Sequence, residues 1–264
     1  KHHFSGVVLG LSGGVDSALV LAIACDALGP DRVHAVMLPS RYTSSISEKD
    51  AAAMARGLGV HYSMIAIEGM FQATLAALER EFKGRAPDST EENIQARCRG
   101  MVLMAISNKT GRMLLTTGNK SEMSVGYATL YGDMAGGYAP IKDCSKTLVY
   151  RLARWRNAKS PVIPLRVIER PPTAELRENQ LDSDSLPPYD VLDSILAAFV
   201  EDNRSVDEIV AQGFDRATVV RVLDMVKGSE YKRRQAPPGV RVSRRAFGRD
   251  WRYPITSGYR PGES

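Results

Sequence analysis

The chain has 264 residues, of which 44% are hydrophobic and 25% are charged, a composition typical of a globular protein that buries a sizeable core. Its longest apolar runs are well short of the ~18 residues that a membrane-spanning helix needs, so we expect no membrane partner. The net charge of +5 arises at one end, because residues 227–264 hold ten Lys or Arg against three Asp or Glu.

That basic end also carries five aromatic residues, a combination that can bind nucleic acid. It contains no recognised nucleic-acid-binding motif, and we expect no nucleic-acid partner. The three cysteines, Cys25, Cys98 and Cys144, are scattered and form no CxxC pair, which indicates a reducing, cytoplasmic compartment and no structural zinc. No histidine accompanies a GxSxG or HExxH motif, which argues against triad hydrolases and zinc proteases.

The first third of the chain alternates short β-branched runs with helical periodicity. The strand-like runs cover residues 7–11, 33–38 and 60–67, and the helical segments cover residues 16–28, 47–58 and 70–82. Such alternation predicts βαβ units with right-handed crossovers. We therefore expect an α/β fold with a Rossmann-like, doubly wound parallel sheet that helices cover on both faces.

The rest of the chain is predominantly helical. A long helix with Thr90 as its N-cap is predicted to end near Gly111, and a strand over residues 113–117 follows it. Further helices are predicted over residues 145–158, 191–201, 205–212 and 215–227. Between the first two of these, residues 166–188 are rich in Pro, Glu, Asp and Ser, which is typical of a mobile loop. We expect one domain over residues 1–264, with a helical carboxyl half.

A glycine-rich segment joins the first strand to the first helix. Its residues are Gly10, Leu11, Ser12, Gly13, Gly14, Val15, Asp16 and Ser17. Glycines there let the backbone approach a phosphate, while N–H groups, the helix amino terminus and two hydroxyls attract anions. The spacing matches neither a Walker loop nor the GxGxxG fingerprint. The segment thus predicts a phosphate cradle, and a plain strand-to-helix turn is the alternative.

Asp16 is unusual in such a cradle, because a carboxylate beside bound phosphates repels them unless a divalent cation lies between. Its presence predicts magnesium. A simple N-cap role for Asp16 is the alternative interpretation.

The motif SGGVDS at residues 12–17 is similar to the loop of enzymes that split ATP between its α and β phosphates. Other motifs select one group within that family. They are NIQAR at 93–97, TTGNKSE at 116–122, YGD at 131–133, KDCSK at 142–146, PTAEL at 172–176 and EYKRRQAPP at 230–238. Together, and in this order, they resemble the NAD synthetases, which are N-type ATP pyrophosphatases with the adenine nucleotide alpha-hydrolase-like fold. The resemblance runs from residue 6 to residue 254.

The resemblance implies roles for individual residues. It places magnesium on Asp16 and Glu122, and it makes these two residues and Lys146 catalytic, with Lys146 as a mobile cation that neutralises the departing pyrophosphate. ATP would contact the segment 10–17 together with Thr117, Lys146 and Thr173. The implied deamido-NAD contacts are Asn93, Arg97, Glu122, Asp133, Lys232 and Arg233. Asn93 and Arg97 lie four residues apart on the long helix, so a solvated helix face is their alternative role. For Lys146 the alternative is an exposed helix lysine.

Two departures favour one branch of the family. Leu130 and Gly137 stand where the short, ammonia-dependent members carry a lysine and an acid, so their substrate contacts do not transfer here. With the segment at 40–44, the carboxyl tail and the start without Met, the chain resembles the glutamine-dependent form. In that form a nitrilase-type amidase domain precedes the synthetase and supplies ammonia. The resemblance also implies a homodimer or a higher homo-oligomer.

The implied reaction adenylates the carboxylate of deamido-NAD with ATP, and ammonia, free or derived from glutamine, then displaces AMP to give NAD. Two alternatives stay open. A GMP synthetase domain would use the same loop but would favour XMP over deamido-NAD. A non-catalytic ATP-binding module would have no need for Glu122, Lys146 and Thr173 together, and it would release no pyrophosphate.

Overall fold

The computed structural model describes residues 3–258, so the first two and last six residues of the predicted single domain lie outside the described range. Its sheet has four parallel strands in the order β3-β2-β1-β4. The strands are β1 (Val7–Gly10), β2 (Val33–Met37), β3 (His61–Met64) and β4 (Met113–Leu115). The predicted α/β class and parallel sheet are confirmed, and each strand is shorter than its hydrophobic run.

Eleven α-helices are described. They are α1 (Val15–Leu28), α2 (Ser45–Leu58), α3 (Glu68–Phe82), α4 (Ser89–Thr110), α5 (Lys120–Val125), α6 (Lys146–Lys159), α7 (Leu165–Glu169), α8 (Tyr189–Leu196), α9 (Val206–Val210), α10 (Arg216–Gly228) and α11 (Glu230–Arg233). A π-helical turn, Ala197–Glu201, extends α8. Among these residues no helix is both long enough and apolar enough to cross a membrane.

Two apolar layers sandwich the sheet. Leu9 and Ala35 face a fully buried layer that α1, α2 and α6 complete, whereas Val8 and Val36 face the opposite layer beneath α3 and α4. Strand residues alternate between the two faces because side chains in a strand have a period of two. Both faces are apolar, as a parallel sheet requires.

The carboxyl half forms a third apolar cluster. Helices α5, α8, α9 and α10 meet around fully buried side chains that include Leu192, Ile195 and Leu223. This arrangement confirms the predicted helical carboxyl half. Its significance for the site is that α5 and α8 belong to this cluster and also reach the carboxyl edge of the sheet.

The structure adds detail to the local predictions and corrects one of them. Residues 170–181 and 185–188 of the predicted loop at 166–188 are in no helix or strand, but α7 ends within its start, and a 3₁₀ turn, Asp182–Asp184, lies inside it. The N-cap of α4 is Asp88, whose side chain accepts a hydrogen bond from the Thr90 N–H, and Glu91 completes a capping box. Helices α5 and α11 were not predicted, because four to six residues are too few to show helical periodicity.

Burial of His34 on β2 predicts a loss of stability in acid. Its ring lies 4.2 Å from that of His61, its Nε2 lies 2.8 Å from Ser63 Oγ, and it is 8% exposed. Burial first, and then nearby His61 and Arg112, lower the pKa of His34 from 6.5 to about 4. The unfolded chain therefore takes up this proton more readily. The contribution of neutral His34 to the free energy of unfolding is complete above pH 6.5 and is lost as the pH falls towards 4. The loss is at most about 3 kcal/mol.

Urea unfolding at about pH 7.5 and about pH 5 checks this expectation. The free energy of unfolding of the His34→Gln variant should fall between these pH values by about 2 kcal/mol less than that of the unmodified chain. His3→Gln, at an exposed position, is the matched control and should change nothing. Equal pH dependence in the unmodified chain and the His34→Gln variant would contradict the prediction.

Candidate active site

The candidate site lies where the strand order reverses. β1 and β4 are neighbours, but the chain leaves β1 towards β2 on one side and reaches β4 only after α4. Ligands of open parallel sheets bind at this position, outside the carboxyl ends of the strands. The glycine-rich segment 10–17 follows β1 there, and residues 116–122 follow β4.

The glycine-rich segment makes a tight turn that only glycine permits at one position. Gly13 has φ of +80°, and a Cβ on it would lie 2.5 Å from the Ser47 carbonyl oxygen. Ser12 Oγ accepts a hydrogen bond from the Gly14 N–H, and Ser17 Oγ accepts one from the Ser12 N–H. Gly14 is the N-cap of α1 and provides no side-chain cap, so the helix amino terminus is left for an anion.

Asp16, Glu122 and Lys146 form one ion cluster at this amino terminus. Lys146 Nζ lies 2.6 Å from Asp16 Oδ2 and 3.2 Å from Glu122 Oε1. Lys146 is only 2% exposed, so the cation expected from the sequence to be mobile is held between two carboxylates in this structure. Asp16 does not cap α1, because both of its oxygens bond side chains from other elements.

The pKa values in the cluster follow from burial and charge. Burial lowers the pKa of Lys146, but the carboxylates of Asp16 and Glu122 together raise it above its usual value, so the lysine is charged. Burial raises the pKa of Glu122 to about 8, against the opposing effect of Lys146. A carboxylate that is costly to ionise without a further cation suits a site that receives one.

Asn119 connects the two carboxylates, and the sequence did not single it out. Its side-chain NH₂ donates to Asp16 Oδ1 at 2.8 Å, and its side-chain carbonyl accepts from the Glu122 N–H at 3.0 Å. Asn119 is fully buried and is the N-cap of α5. One side chain therefore orients Asp16 and starts the helix that carries Glu122. Its position within the TTGNKSE motif was the available signal.

Two adjoining cavities open at this edge of the sheet. The first, of about 250 Å³, lies over the ends of β1, β2 and β4. The second, of about 160 Å³, lies over the ion cluster. Ser12, Thr117 and Thr173 line both cavities, so the two form one continuous cleft. All the predicted ATP contacts except Gly13 line this cleft.

The predicted dinucleotide contacts are divided between different places. Asp133 lines both cavities, and its Oδ1 accepts a hydrogen bond from the Thr129 N–H at 2.7 Å. Asn93 accepts from the Thr129 hydroxyl, which links α4 to the same loop. Arg97 lies on the exposed side of α4 at a separate, shallower cavity beside Met101 and Tyr131. The structure brings Asp133 and Glu122 together at the cleft, but it does not bring Arg97 there.

Neither Lys232 nor Arg233 lines the two cavities of the cleft. Lys232 Nζ donates to the carbonyl oxygens of Gly126 and Ala128, at 2.8 and 2.7 Å. Arg233 is 4% exposed and donates to the Ser124 carbonyl oxygen and to the Glu230 carboxylate. Its guanidinium stabilises the end of α5, so the deamido-NAD contact expected of Arg233 does not fit this structure.

The segment after α7 lies against the glycine-rich turn. Arg170 donates to the Gly13 carbonyl oxygen at 2.6 Å and to Ser47 Oγ at 3.0 Å. Glu175 accepts from the Ser44 and Ser47 hydroxyls, at 2.9 and 2.6 Å. Both side chains line the first cavity. The sequence placed this segment in a mobile loop and did not identify these contacts.

The protein supplies only some of the ligands that a magnesium ion needs. No group of three or more His, Cys, Asp or Glu that could hold a metal occurs within residues 3–258. Asp16 and Glu122 nevertheless lie close to each other, because Lys146 Nζ contacts one oxygen of each. Mg²⁺ commonly binds through one or two carboxylates, with substrate phosphates and water completing the shell. The donor set therefore fits a metal that arrives with a phosphate ligand.

Known proteins resemble this chain over most of its length. The family model described as NAD synthase matches residues 1–236. The chain belongs to the NAD synthase family. A glutamine-dependent NAD(+) synthetase from Xanthomonas campestris pv. campestris is 60% identical to this NAD synthase chain over 261 residues, which cover 98% of the chain and 47% of the relative. The chain thus spans about half the length of the curated relatives it matches.

Solved structures show the same relationship. A glutamine-dependent NAD+ synthetase from Acinetobacter baumannii, in complex with ADP, is 50% identical, with a TM-score of 0.64 over 99% of this NAD synthase chain and 48% of that chain. An NH3-dependent NAD synthetase from Campylobacter jejuni, in complex with nitrate, is 27% identical, with a TM-score of 0.70 over 87% of each chain. The Rossmann-like fold expected from the sequence is therefore the fold of these relatives.

Proposed function

We propose that this chain catalyses the ATP-dependent amidation of deamido-NAD to NAD. The observation that carries the proposal is the cluster of Asp16, Glu122 and Lys146 at the free amino terminus of α1, inside a cleft that the glycine-rich turn borders. The Acinetobacter relative was solved in complex with ADP, which supports an adenine nucleotide as a substrate of this chain. The adenosine would occupy the cavity over β1 and β2, and the triphosphate would extend towards Lys146.

The first step would join the two substrates. A carboxylate oxygen of deamido-NAD bonds to the α-phosphorus of ATP, the bond from that phosphorus to the bridging oxygen breaks, and pyrophosphate leaves. Negative charge grows on the leaving oxygen, and the Lys146 ammonium and the backbone N–H groups of the cradle stabilise it. Magnesium held by Asp16 and Glu122 would neutralise phosphate charge. No covalent enzyme intermediate is needed.

The second step would release AMP. The nitrogen of ammonia bonds to the acyl carbon, the bond from that carbon to the AMP oxygen breaks, and the nitrogen loses a proton. Water competes with ammonia for the adenylate, so the cleft has to exclude it. The segment carrying Arg170 and Glu175 closes over the glycine-rich turn and could serve this purpose. Asp133, at the border of both cavities, is suited to orient the dinucleotide.

The nitrogen source would depend on the whole protein. The relatives at 60 to 50% identity are glutamine-dependent and about twice as long as this chain. We propose that an amidase domain accompanies the synthetase in the complete protein and generates ammonia. A homodimer or higher oligomer and a cytoplasmic location stay predictions.

The isolated chain is expected to make NAD from deamido-NAD, ATP and ammonium, but not from glutamine. Glutamine hydrolysis needs an activated nucleophile, commonly a thiolate. Burial raises the pKa of Cys25 and Cys144 to about 11 and also raises that of Cys98, so all three are protonated thiols near neutral pH. NAD formation should be measured with each donor after removal of contaminating ammonia.

The outcomes of this assay separate the alternatives. Turnover with glutamine would contradict the amidase proposal. Pyrophosphate release with XMP, and none with deamido-NAD, would indicate a GMP synthetase domain instead. Absence of pyrophosphate release with every acceptor, while ATP still binds, would indicate a non-catalytic module.

A further inference from the structure

Helix α8 holds the beginning of α6, the helix whose first residue is Lys146. Asp193 Oδ2 accepts hydrogen bonds from the Thr147 N–H at 2.9 Å and from the Thr147 hydroxyl at 2.7 Å. Its Oδ1 accepts one from the Ser121 hydroxyl, and Ser121 Oγ in turn accepts from the Lys146 N–H at 2.8 Å. The carboxylate of Asp193 thus fixes the first two residues of α6 and the residue that precedes Glu122.

A carboxylate is the side chain that this position requires. Three donors converge on Asp193, and an ionised carboxylate is an acceptor only, with a free lone pair for each donor. An asparagine amide would place its own NH₂ against one of these donors. Asp193 is 9% exposed and Ser121 is fully buried, so water does not readily replace a lost partner. The negative charge also faces the amino terminus of α6, where the helix dipole favours it.

Tyr189 lies one helical turn before Asp193, and its ring contacts the ammonium group of Lys146. The Lys146 Nζ lies 5.2 Å from the centre of the Tyr189 ring, within the range of a cation–π contact. The Tyr189 hydroxyl donates to Asp182 Oδ2 at 2.7 Å, and Asp182 lines the cavity over the ion cluster. Residues four apart on a helix share a face, so α8 presents Asp193 and Tyr189 together to Lys146.

The helix that makes these contacts is itself firmly anchored. Leu192 and Ile195 of α8 are fully buried in the carboxyl-terminal apolar cluster, which contains no residue of the glycine-rich segment. These contacts therefore connect the Lys146 backbone to the carboxyl-terminal cluster, while later residues of α6 pack in the apolar layer against the sheet. The Lys146 ammonium contacts Asp16 and Glu122 at the sheet edge.

We propose that Asp193 and Tyr189 are positioning residues through which the carboxyl-terminal helical cluster holds the Lys146 ammonium between Asp16 and Glu122, an inference that rests on the proposed function of this site. Neither residue needs to touch a substrate. A displacement of the lysine by about 1 Å costs a reaction of this kind on the order of 100-fold in rate. ATP affinity, which also depends on the glycine-rich turn, should change far less.

The direct test measures the accessibility of Lys146 and needs no turnover. Asp193→Asn, Tyr189→Leu and Tyr189→Phe are compared with Asp190→Asn, an exposed control on the same helix. Reductive methylation of each lysine is followed by mass spectrometry, with buried Lys120 as the internal reference. We expect Lys146 to react at least about fivefold faster in Asp193→Asn and Tyr189→Leu, with Lys120 unchanged. Tyr189→Phe keeps the ring and should keep the protection.

Kinetics provide the second measurement. Single-turnover pyrophosphate release from ATP and deamido-NAD should slow by about 10- to 100-fold in Asp193→Asn, while the KM for ATP changes less than about twofold. Unchanged Lys146 labelling in both Asp193→Asn and Tyr189→Leu, or equal gains at Lys120, would overturn the inference. If the unmodified chain released no pyrophosphate, the proposed function would fail, and the labelling would still decide the placement of Lys146.

Discussion

Asp16→Asn and Glu122→Gln are each expected to lower pyrophosphate release at least about 100-fold. Both substitutions keep the shape of the side chain and remove one of the two carboxylates that converge on Lys146 Nζ. The metal that accompanies the triphosphate would then lose an anionic ligand and bind more weakly, so less phosphate charge would be neutralised. The fold should survive, because Asp16 and Glu122 line the cleft and take no part in the three apolar clusters.

The measurement is pyrophosphate release over a magnesium titration, with circular dichroism as a check of folding. Asp26→Asn is the matched control, because Asp26 also lies on α1 but forms an exposed pair with Arg156, away from the cleft. Its turnover should equal that of the unmodified chain. Asp16→Asn or Glu122→Gln with unchanged turnover at every magnesium concentration would show that the metal assignment is wrong.

Lys146→Met should slow the formation of the adenylate by about 100- to 1000-fold and leave ATP binding nearly unchanged. The methionine keeps most of the apolar stem and removes the ammonium, whose proposed partner is the charge that develops on the departing pyrophosphate. Loss of this cation also leaves Asp16 and Glu122 without a counter-ion, so binding of magnesium with ATP should be equal or tighter.

Two measurements separate binding from chemistry. Calorimetric titration with ATP and magnesium gives the affinity, and rapid-quench single turnover gives the rate of pyrophosphate release. Lys159→Ala, at the exposed end of α6, is the control and should behave like the unmodified chain. Weakened ATP affinity with a normal single-turnover rate would make Lys146 a binding residue and contradict its proposed role in the chemical step.

The sequence by itself determined the features that depend on neighbours along the chain. The alternation of apolar runs and helical periodicity predicted the parallel sheet, because the period of two and the period of 3.6 are local properties. The tight turn and the helix start at 10–17 were predictable for the same reason, since the glycines and hydroxyls are consecutive. Phosphate binding there stays a prediction. Sequence motifs identified Glu122 and Lys146 as candidate site residues. The positions of these residues along the chain gave no distance between their side chains.

Tertiary structure alone decided how distant residues meet. Asn119 reaches Asp16 across 103 positions, and Lys146 reaches it across 130, so no local pattern could place these pairs together. The same limit applies to Arg233, whose motif implied a deamido-NAD contact but whose guanidinium is buried against carbonyl oxygens. A buried charged side chain bonds the nearest partner that the fold provides, because an unpaired buried charge is costly. The partner belongs to a different helix or strand, so no local pattern in the sequence identifies it.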